Sequence, residues 1–469
     1  MKVSVARFSE SSRNDRIDSE FFRDDYVKDV SMVSGKRCDS IRSVASVSDG
    51  NHLKIAEEFT DSPGVRYLRG QDLSTDMVLS DRNVVFIPDD FFRRLKRSHI
   101  FRNDILITIV GANTGLVGLV FSPPQKLVAS CKLGIIRPTK SILPGYLYSF
   151  LAGRYGQSQV FRSIRGGGQT GLILPDLKKL VVVRFEKEFE CQIHEVATKA
   201  HSMIASSTQV YKAEEQRLLK LLGFANWRPR KQLSFVRNFS MSTEGHRIDA
   251  EYFQPMYDET LRTIKNYRHG FGFVSELFKS NKAGFKVKRD ALYQYVEIGS
   301  VDTSSGQIEP LSLYEKDLPA NAKIKLNKGD LIISKVRTYR GAVAIVQSDD
   351  LIGSGAFTVL QESKKINKET AYVFFKSAPI LNLSLKYNAG TSYPVIDETD
   401  ILGLPFPLIP VKVQQAIRSK ITEMYETRAL SKRLLEIAKR GVEMAIEKNE
   451  KEAEMWMNKE LQAIDKGQQ

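Results

Sequence analysis

Three cysteines, Cys38, Cys131 and Cys191, are scattered over 469 residues, and no two of them form a CxxC pair. That excludes a disulfide scaffold and a zinc ribbon, and it fits a reducing compartment. No apolar run approaches the roughly 20 residues that span a bilayer. The stretch MKVSVARFSESSR lacks the apolar core of a secretion signal, so the expected location is the cytoplasm. A GxxxxGK[ST] phosphate loop is missing. So are the glycine-rich methyl-donor loop and the Asn/Asp-Pro-Pro-aromatic motif of an adenine-N6 methyltransferase; the nearest tract, Ser122-Pro123-Pro124-Gln125, has neither the acid or amide nor the aromatic. Asp176 is followed by Lys178 and Lys179, but no second acid at a suitable spacing completes a nuclease cluster. His194 and His201 sit two helical turns apart, too far to share a metal without further ligands, and read as helix-surface residues. No catalytic residue and no metal site are expected in this chain.

What is present starts with charge. Lys and Arg outnumber Asp and Glu by 70 to 55, a net charge of +15, which favours an anionic partner, most often nucleic acid. Hydrophobic residues at 42% and charged residues at 27% are ordinary for a soluble chain with ample core.

The stretch Gln192–Leu222 has neither Pro nor Gly. Ile193, Val196, Ala200, Met203, Ser207 and Val210 recur at alternating three- and four-residue steps, which predicts one small-apolar face on a helix roughly 45 Å long. Gly223 stops it. A second helix without proline is expected from Val411 to about Glu460, with Ile417, Ile421 and Met424 on one side and Leu430, Leu434, Ile437, Gly441 and Met444 continuing the stripe after a slip. Beyond Ala445 the sequence is nearly all charged and reads as a solvated or partner-seeking extension. Before each helix the pattern is strand-rich: Asp104–Val110 and Leu116–Phe121 predict paired strands around the turn Gly111–Gly115, Tyr146–Tyr155 a short helix, and Leu180–Phe185 a buried strand.

These two halves repeat. Arg16-Ile17-Asp18-x-Glu20-x-Phe22 recurs as Arg247-Ile248-Asp249-x-Glu251-x-Phe253, 231 residues on. Tyr67 matches Tyr295, Asp104-Ile105-Leu106-Ile107 matches Asp330-Leu331-Ile332-Ile333, Gly115 matches Gly341, Ser130 matches Ser354, and Asp176-Leu177 matches Asp400-Ile401. The order is kept while the offset falls steadily from 231 to 224. A period that long is no solenoid repeat. It implies a pseudo-dimer: strand-rich module, long helix, strand-rich module, long helix. Two such helices can pair antiparallel and bury their stripes.

In these features the chain resembles the specificity subunit of type I restriction-modification systems. The residues that carry the likeness are RIDSEFF and RIDAEYF, the NDILIT and GDLIIS strands, the loops RGGGQTGLILPDL and YNAGTSYPVIDETDI, and the helix after each copy. The resemblance implies an α+β fold with a pseudo-two-fold repeat of two target recognition domains, separated by two long helices in an antiparallel coiled coil. The expected segments are 1–188, the first recognition domain; 189–223, the first spacer helix; 224–410, a connector and the second recognition domain; and 411–469, the second spacer helix with its charged extension. It further implies a prokaryotic, non-catalytic subunit that reads one half of a split double-stranded DNA target with each domain. Modification (methyltransferase) subunits, two of them, and restriction (translocase and endonuclease) subunits would be its partners. No cofactor would bind this chain; S-adenosylmethionine would bind the modification subunit, and ATP and magnesium the restriction subunit.

DNA contact calls for basic residues on projecting loops, with glycines that let backbone approach phosphate. Arg93, Arg94, Lys96 and Arg97 crowd one basic-aromatic stretch with Phe91, Phe92 and Arg102. Asn113 and Thr114 lie in the first hairpin turn. Arg165, Gly167, Gly168, Gln169 and Thr170 form a glycine loop, with Thr391 and Ser392 in its second copy. Lys286, Lys288 and Arg289 follow Lys282 in another basic run. Lys335, Arg337, Tyr339 and Arg340 stand between paired strands where the first copy has the uncharged Gly111–Thr114. Arginine can bridge guanine, and Gln or Asn adenine. The RIDxExF motif reads as an anchor for each module, through an ion pair and a buried aromatic. A helix of roughly 45 Å bounds the unread spacer at about thirteen base pairs. The alternatives are a coiled-coil scaffold whose modules bind protein, which salt-independent indifference to DNA would favour, and an enzyme with an unrecognised site, which methyl-donor binding or metal-dependent cleavage would favour.

Overall fold

The computed structural model describes residues 16–60, 64–73, 84–111, 113–166, 171–390 and 393–467. Contacts divide the chain into two compact units, Met1–Ser207 with Glu426–Gln469, and Thr208–Tyr425. The strands of the first are β1 (Cys38–Ser40), β2 (Ala45–Asp49), β3 (Val65–Leu68), β4 (Val85–Ile87), β5 (Ile105–Thr108), β6 (Val117–Leu119), β7 (Leu127–Ala129), β8 (Leu133–Pro138) and β9 (Val181–Val183). Those of the second are β10 (Phe271–Phe273), β11 (Leu292–Val296), β12 (Leu311–Tyr314), β13 (Ala322–Leu326), β14 (Leu331–Ser334), β15 (Val343–Ile345), β16 (Leu351–Ser354), β17 (Phe357–Leu360) and β18 (Pro405–Pro407). The helices used below are α1 (Asp24–Ser34), α2 (Asp89–Arg94), α3 (Pro144–Ala152), α4 (Arg154–Ser163), α5 (Lys187–Leu222), α6 (Pro255–Lys265), α7 (Lys368–Lys376), α8 (Ala378–Tyr387), α9 (Val411–Glu447) and α10 (Glu450–Gly467).

In the first unit β2-β8-β5-β6 form one sheet and β4-β3-β7 another, with β1 paired to β9. Ile105, Ile107 and Thr108, all β-branched, favour a strand at β5, and all four of its residues are buried. Ile105 and Ile107 face a core with Tyr146, Leu147 and Leu151 of α3, while Leu106 faces Leu68, Leu133 and Ile135. The predicted helix Tyr146–Tyr155 is two helices, because the chain turns at Gly153 between α3 and α4.

In the second unit the sheets are β12-β11-β16-β13 and β15-β14-β17, with β10 paired to β18. The sequence repeat survives in the ladders. Ile105 faces Leu119 and Ile136; its counterpart Leu331 faces Ile345 and Leu360. Tyr67 on β3 faces Val128 in a parallel pair, as Tyr295 on β11 faces Ile352. The copies diverge at sheet edges. Where β2 lies on β8, the described residues of the second unit have the isolated bridge Ser280–Leu360, and where β13 lies on β16 those of the first have the isolated bridge His99–Val128.

The long helices serve each unit locally. In the first, Phe189, Ile193, Val196, Ala197, Ala200 and Ile204 of α5 join the core beneath α3, and also meet Leu434, Ile437, Ala438 and Val442 of α9. The α5–α9 pairing there is antiparallel: Ile193 lies beside Gly441, Ser431 Oγ donates to the Ala200 carbonyl at 2.8 Å, and Arg428 Nε donates to Ser207 Oγ at 2.9 Å. In the second, Tyr211, Leu218 and Leu222 of α5 share a core with Ile417, Ile421 and Met424 of α9.

Two expectations are corrected. The second long helix does not run to Glu460: α9 ends at Glu447, and Asn449 restarts the chain as α10 by accepting the Glu452 N–H at 3.0 Å. The charged stretch is also not a solvated extension. Ala453, Met457 and Ile464 share one face of α10 and are buried against α5 and α9. Any side chain at Gly441 would run into Met457 Sδ. Gln192 bonds Asn458 at 2.8 Å, and Arg433 pairs with Glu460 at 3.2 Å.

The histidines are corrected too. His201 is 2% exposed, with its ring edge-on to Tyr148 at 4.9 Å. His194 is half-buried, and its Nδ1 accepts the Gly145 N–H at 3.0 Å. Helix α3 covers that face of α5, so neither is a helix-surface residue. No helix among the described residues is long and apolar enough to cross a membrane.

Candidate nucleic-acid interface

Each unit carries the same side-chain knot. Arg16 Nε bonds Asp18 Oδ2 at 2.5 Å, its Nη2 donates to the Ile164 carbonyl at 2.8 Å, and Asp18 Oδ1 accepts the Phe21 N–H at 3.1 Å. In the second unit Arg247 Nε bonds Asp249 Oδ2 at 2.6 Å, its Nη2 donates to the Asn388 carbonyl at 3.1 Å, and Asp249 Oδ1 accepts the Tyr252 N–H at 3.0 Å. The arginine hydrogen bond is the main cause that holds both aspartates below the usual carboxylate range. A second cation closes each knot. The Arg162 guanidinium lies 4.0 Å from the Phe21 ring centroid and donates to the Phe21 carbonyl at 2.9 Å. Lys386 Nζ lies 3.8 Å from the Tyr252 ring and donates to its carbonyl at 2.8 Å. Burial lowers the Lys386 pKa, since the buried charge is disfavoured. Among the motif's aromatics Phe253 is buried and Phe22 half-buried, whereas Ile17 and Ile248 point into solvent.

The knot stands beside the loops that carry several candidates. In the first unit the β5–β6 turn has Gly111 at a φ of 116°, where glycine carries no steric penalty. Thr114 donates to the Gly111 carbonyl through both its amide and its hydroxyl, Asn113 is exposed, and Thr114 is half-buried. The glycine loop is pinched at its base by reciprocal 2.9 Å bonds between Arg165 and Gly171. The Leu172 N–H then donates to the Ile109 carbonyl at 2.8 Å, and Gly171 bridges Val110, so this base lies beside the end of β5. Arg165 is held by Asp176 through bonds of 2.7 and 3.2 Å. Gly167, Gly168, Gln169 and Thr170 lie outside the described residues.

The second unit repeats this arrangement with different chemistry. Ala389 and Val395 exchange bonds of 2.8 and 2.9 Å, and the Ile396 N–H donates to the Lys335 carbonyl at 2.9 Å. Lys335, Arg337 and Tyr339 are half-buried and Arg340 is exposed, all in the turn between β14 and β15. Thr391 and Ser392 lie outside the described residues.

The remaining candidates lie on the other sheet of each unit. Arg93, Arg94, Lys96 and Arg97 are exposed on α2 and the turn after it. Phe91 and Leu95 anchor that stretch against Val65, Tyr67 and Ile87 of β3 and β4. Arg94 lies over Phe91 at 5.0 Å, and Arg97 pairs with Asp49 at 2.5 Å. In the second unit Lys286, Lys288 and Arg289 are exposed just before β11, where Phe285 meets Tyr293 and the Lys288 N–H donates to the Tyr293 hydroxyl at 2.6 Å. Arg162, Lys386 and Tyr393 escaped the sequence reading. The recurrence of Arg162 as Lys386, at the same 224-residue offset as Asp176 and Asp400, was the signal available for the first two. Among the described residues no group of three or more His, Cys, Asp and Glu side chains could hold a metal ion.

Residues 271–440 match the family model described as type I restriction modification DNA specificity domain. Among solved structures the chain is similar to the S subunit of a type I restriction-modification system from M. genitalium, with 14% identity and a TM-score of 0.32 over 87% of this chain and 94% of that one. It is similar to a chain in a study of complex assembly and conformational transition of the type I R-M system, with 12% identity and a TM-score of 0.28 over 89% and 97%. It is also similar to the HsdS subunit from Thermoanaerobacter tengcongensis, with 12% identity and a TM-score of 0.28 over 88% and 96%. No curated protein matches the chain.

Proposed function

We propose that this chain, whose residues 271–440 match the family model described as type I restriction modification DNA specificity domain, reads a bipartite, asymmetric double-stranded DNA target with two recognition domains. The observation that carries the reading is a duplicated module whose β-register and anchoring knot are kept while its loops change. Ile105 and Leu331 occupy the same ladder position. The turn that follows is Gly111–Thr114 in one copy and Val336–Arg340 in the other. Framework kept and loop altered is the pattern expected when two domains read different bases from one scaffold, because loops on a rigid sheet set specificity. The two half-sites therefore differ, and a spacer between them goes unread. The net charge of +15 supports a polyanionic ligand.

The chain contributes recognition and no chemistry. Methyl transfer to adenine N6 belongs to two modification subunits that dock on the long helices and bring S-adenosylmethionine; translocation and cleavage belong to restriction subunits that bring ATP and magnesium. The test is single-molecule sequencing of adenine methylation in cells that hold the neighbouring modification subunit, with and without this chain. A split, asymmetric motif that vanishes without the chain is expected, and replacing residues 1–185 with another recognition domain changes one half only. Methylation that is the same without the chain sinks the proposal and leaves the scaffold reading.

A further inference from the structure

The motif arginine of each copy holds a carbonyl that is distant in the chain and lies at the same place in both modules. Arg16 donates to Ile164 across 148 residues, and Arg247 donates to Asn388 across 141. Ile164 directly follows α4, and Asn388 directly follows α8. A helix leaves its last carbonyls without intrahelical donors, and an arginine side chain can satisfy them. The next residue of each copy opens a loop. Arg165 exchanges 2.9 Å bonds with Gly171, and Ala389 exchanges bonds of 2.8 and 2.9 Å with Val395. Each base is stitched in turn to the residue that follows the central strand, Leu172 to Ile109 after β5 and Ile396 to Lys335 after β14. The knot is thus the point from which these segments are held. Arg16 is buried and Arg247 half-buried, while Asp18 and Asp249 are 45% and 43% exposed. An ion pair whose carboxylate is that open to water adds little to stability, so its recurrence in both copies calls for another role.

We infer that Arg16 and Arg247 are positioning residues for recognition: each fixes where the chain leaves α4 or α8, and so sets how strictly its own module reads its half-site. The inference rests on the proposed function. Neither arginine has to touch DNA. A side chain that reads a base must be held to about 0.5 Å of its productive place, and a loop hinged at one pinched base carries any movement of that base to its tip. The arginine fork suits the task, because its donors are fixed in one plane and reach the aspartate and the carbonyl together. Segments that have to differ between two half-sites can share one kind of anchor. That accounts for a motif kept in both copies beside turns that are not, Gly111–Thr114 in one and Val336–Arg340 in the other.

The experiment is methylation sequencing of the full complex carrying Arg16→Gln or Arg247→Gln, with thermal melting of each purified complex. The exchange of residues 1–185 identifies the half-site of the first module. Arg16→Gln should admit mismatched bases in that half roughly tenfold more often, the equivalent of one weakened base contact, and leave the other half as strict as before. Arg247→Gln should do the reverse, and it should melt within about 4 °C of the unaltered complex. Arg16→Lys and Arg247→Lys keep the charge without the fork and should relax the same halves to a smaller extent. They carry the test if a Gln variant does not assemble. An unchanged motif in either Gln variant overturns the inference while leaving the proposed function standing. So does a uniform loss of methylation with both halves still strict, which marks a role in stability alone, and so does relaxation of both halves by one substitution. If methylation does not depend on this chain at all, the proposed function falls and takes this inference with it.

Discussion

Burial of a single ring makes the fold sensitive to acid. His201, at 2% exposure, loses its water on folding, and desolvation lowers its pKa from the ordinary 6.5 to about 4. The unfolded chain takes up a proton below about pH 6.5, and the folded chain not until about pH 4. The stabilisation is thus fully present above pH 6.5 and is lost as pH falls towards 4. The loss amounts to about 2 kcal/mol by pH 5. His194, lowered by burial as well, adds in the same direction. The urea midpoint should drop between pH 7 and pH 5, and His201→Phe should remove most of that drop; an equal drop in both proteins assigns the acid sensitivity elsewhere. Close approach sets a second expectation. A Cβ at Gly145 would stand 2.6 Å from His194 Nδ1 and 2.8 Å from its carbonyl oxygen, so Gly145→Ala should lower stability by about 1–3 kcal/mol in a denaturant titration. At this scale the sequence is legible where partners are neighbours. The Arg16–Asp18 and Arg247–Asp249 pairs could be anticipated because donor and acceptor are two positions apart. The cations above Phe21 and Tyr252 could not, because Arg162 and Lys386 come from more than 130 residues away.

Elements were legible where one physical signal dominated. The DILIT and DLIIS runs predict strands because β-branched side chains suit a buried ladder, and β5 and β14 follow. The C-terminal stretch was misread because two signals conflict. Its charge density suggests solvation, but Ala453, Met457 and Ile464 fall at steps of four and seven residues, the spacing of one helical face. The absence of Pro and Gly hid the break, which Asn449 makes with its own side chain as an N-cap. Two neighbouring methionines separate these readings. Met457 is fully buried beside Gly441, while Met455 is 66% exposed. Met457→Ala should cost about 2–4 kcal/mol and Met455→Ala close to none. Equal thermal midpoints for the two variants would return α10 to the solvated extension that its composition suggests.

The whole molecule is legible chiefly through duplication, because a repeat constrains hundreds of residues at once while each motif constrains only a few. The steady fall in offset from Arg16–Arg247 to Asp176–Asp400 placed the equivalent strands before any ladder was known, and the ladders keep those equivalences. Base identity was not legible, since contacts with DNA depend on loop conformation and on the far end of long side chains. Spacer length belongs to this scale as well, and under the proposed function it is set by helix length. In the first unit α5 and α9 run antiparallel at the level of Ser207 and Arg428. Seven residues added to each helix at that level lengthen both by about 10 Å and keep nearly the same face inward. At 3.4 Å per base pair this is about three steps. The methylated motif of such a variant should keep both half-sites and gain about three base pairs between them, with a lower rate because the second half-site is rotated around the duplex. Methylation sequencing reads this directly. The original spacer, retained at full activity, would mean that the helices do not set the distance between half-sites. A lengthened spacer with unchanged halves would mean, under the proposed function, that loops set which bases are read and helices set how far apart they are read.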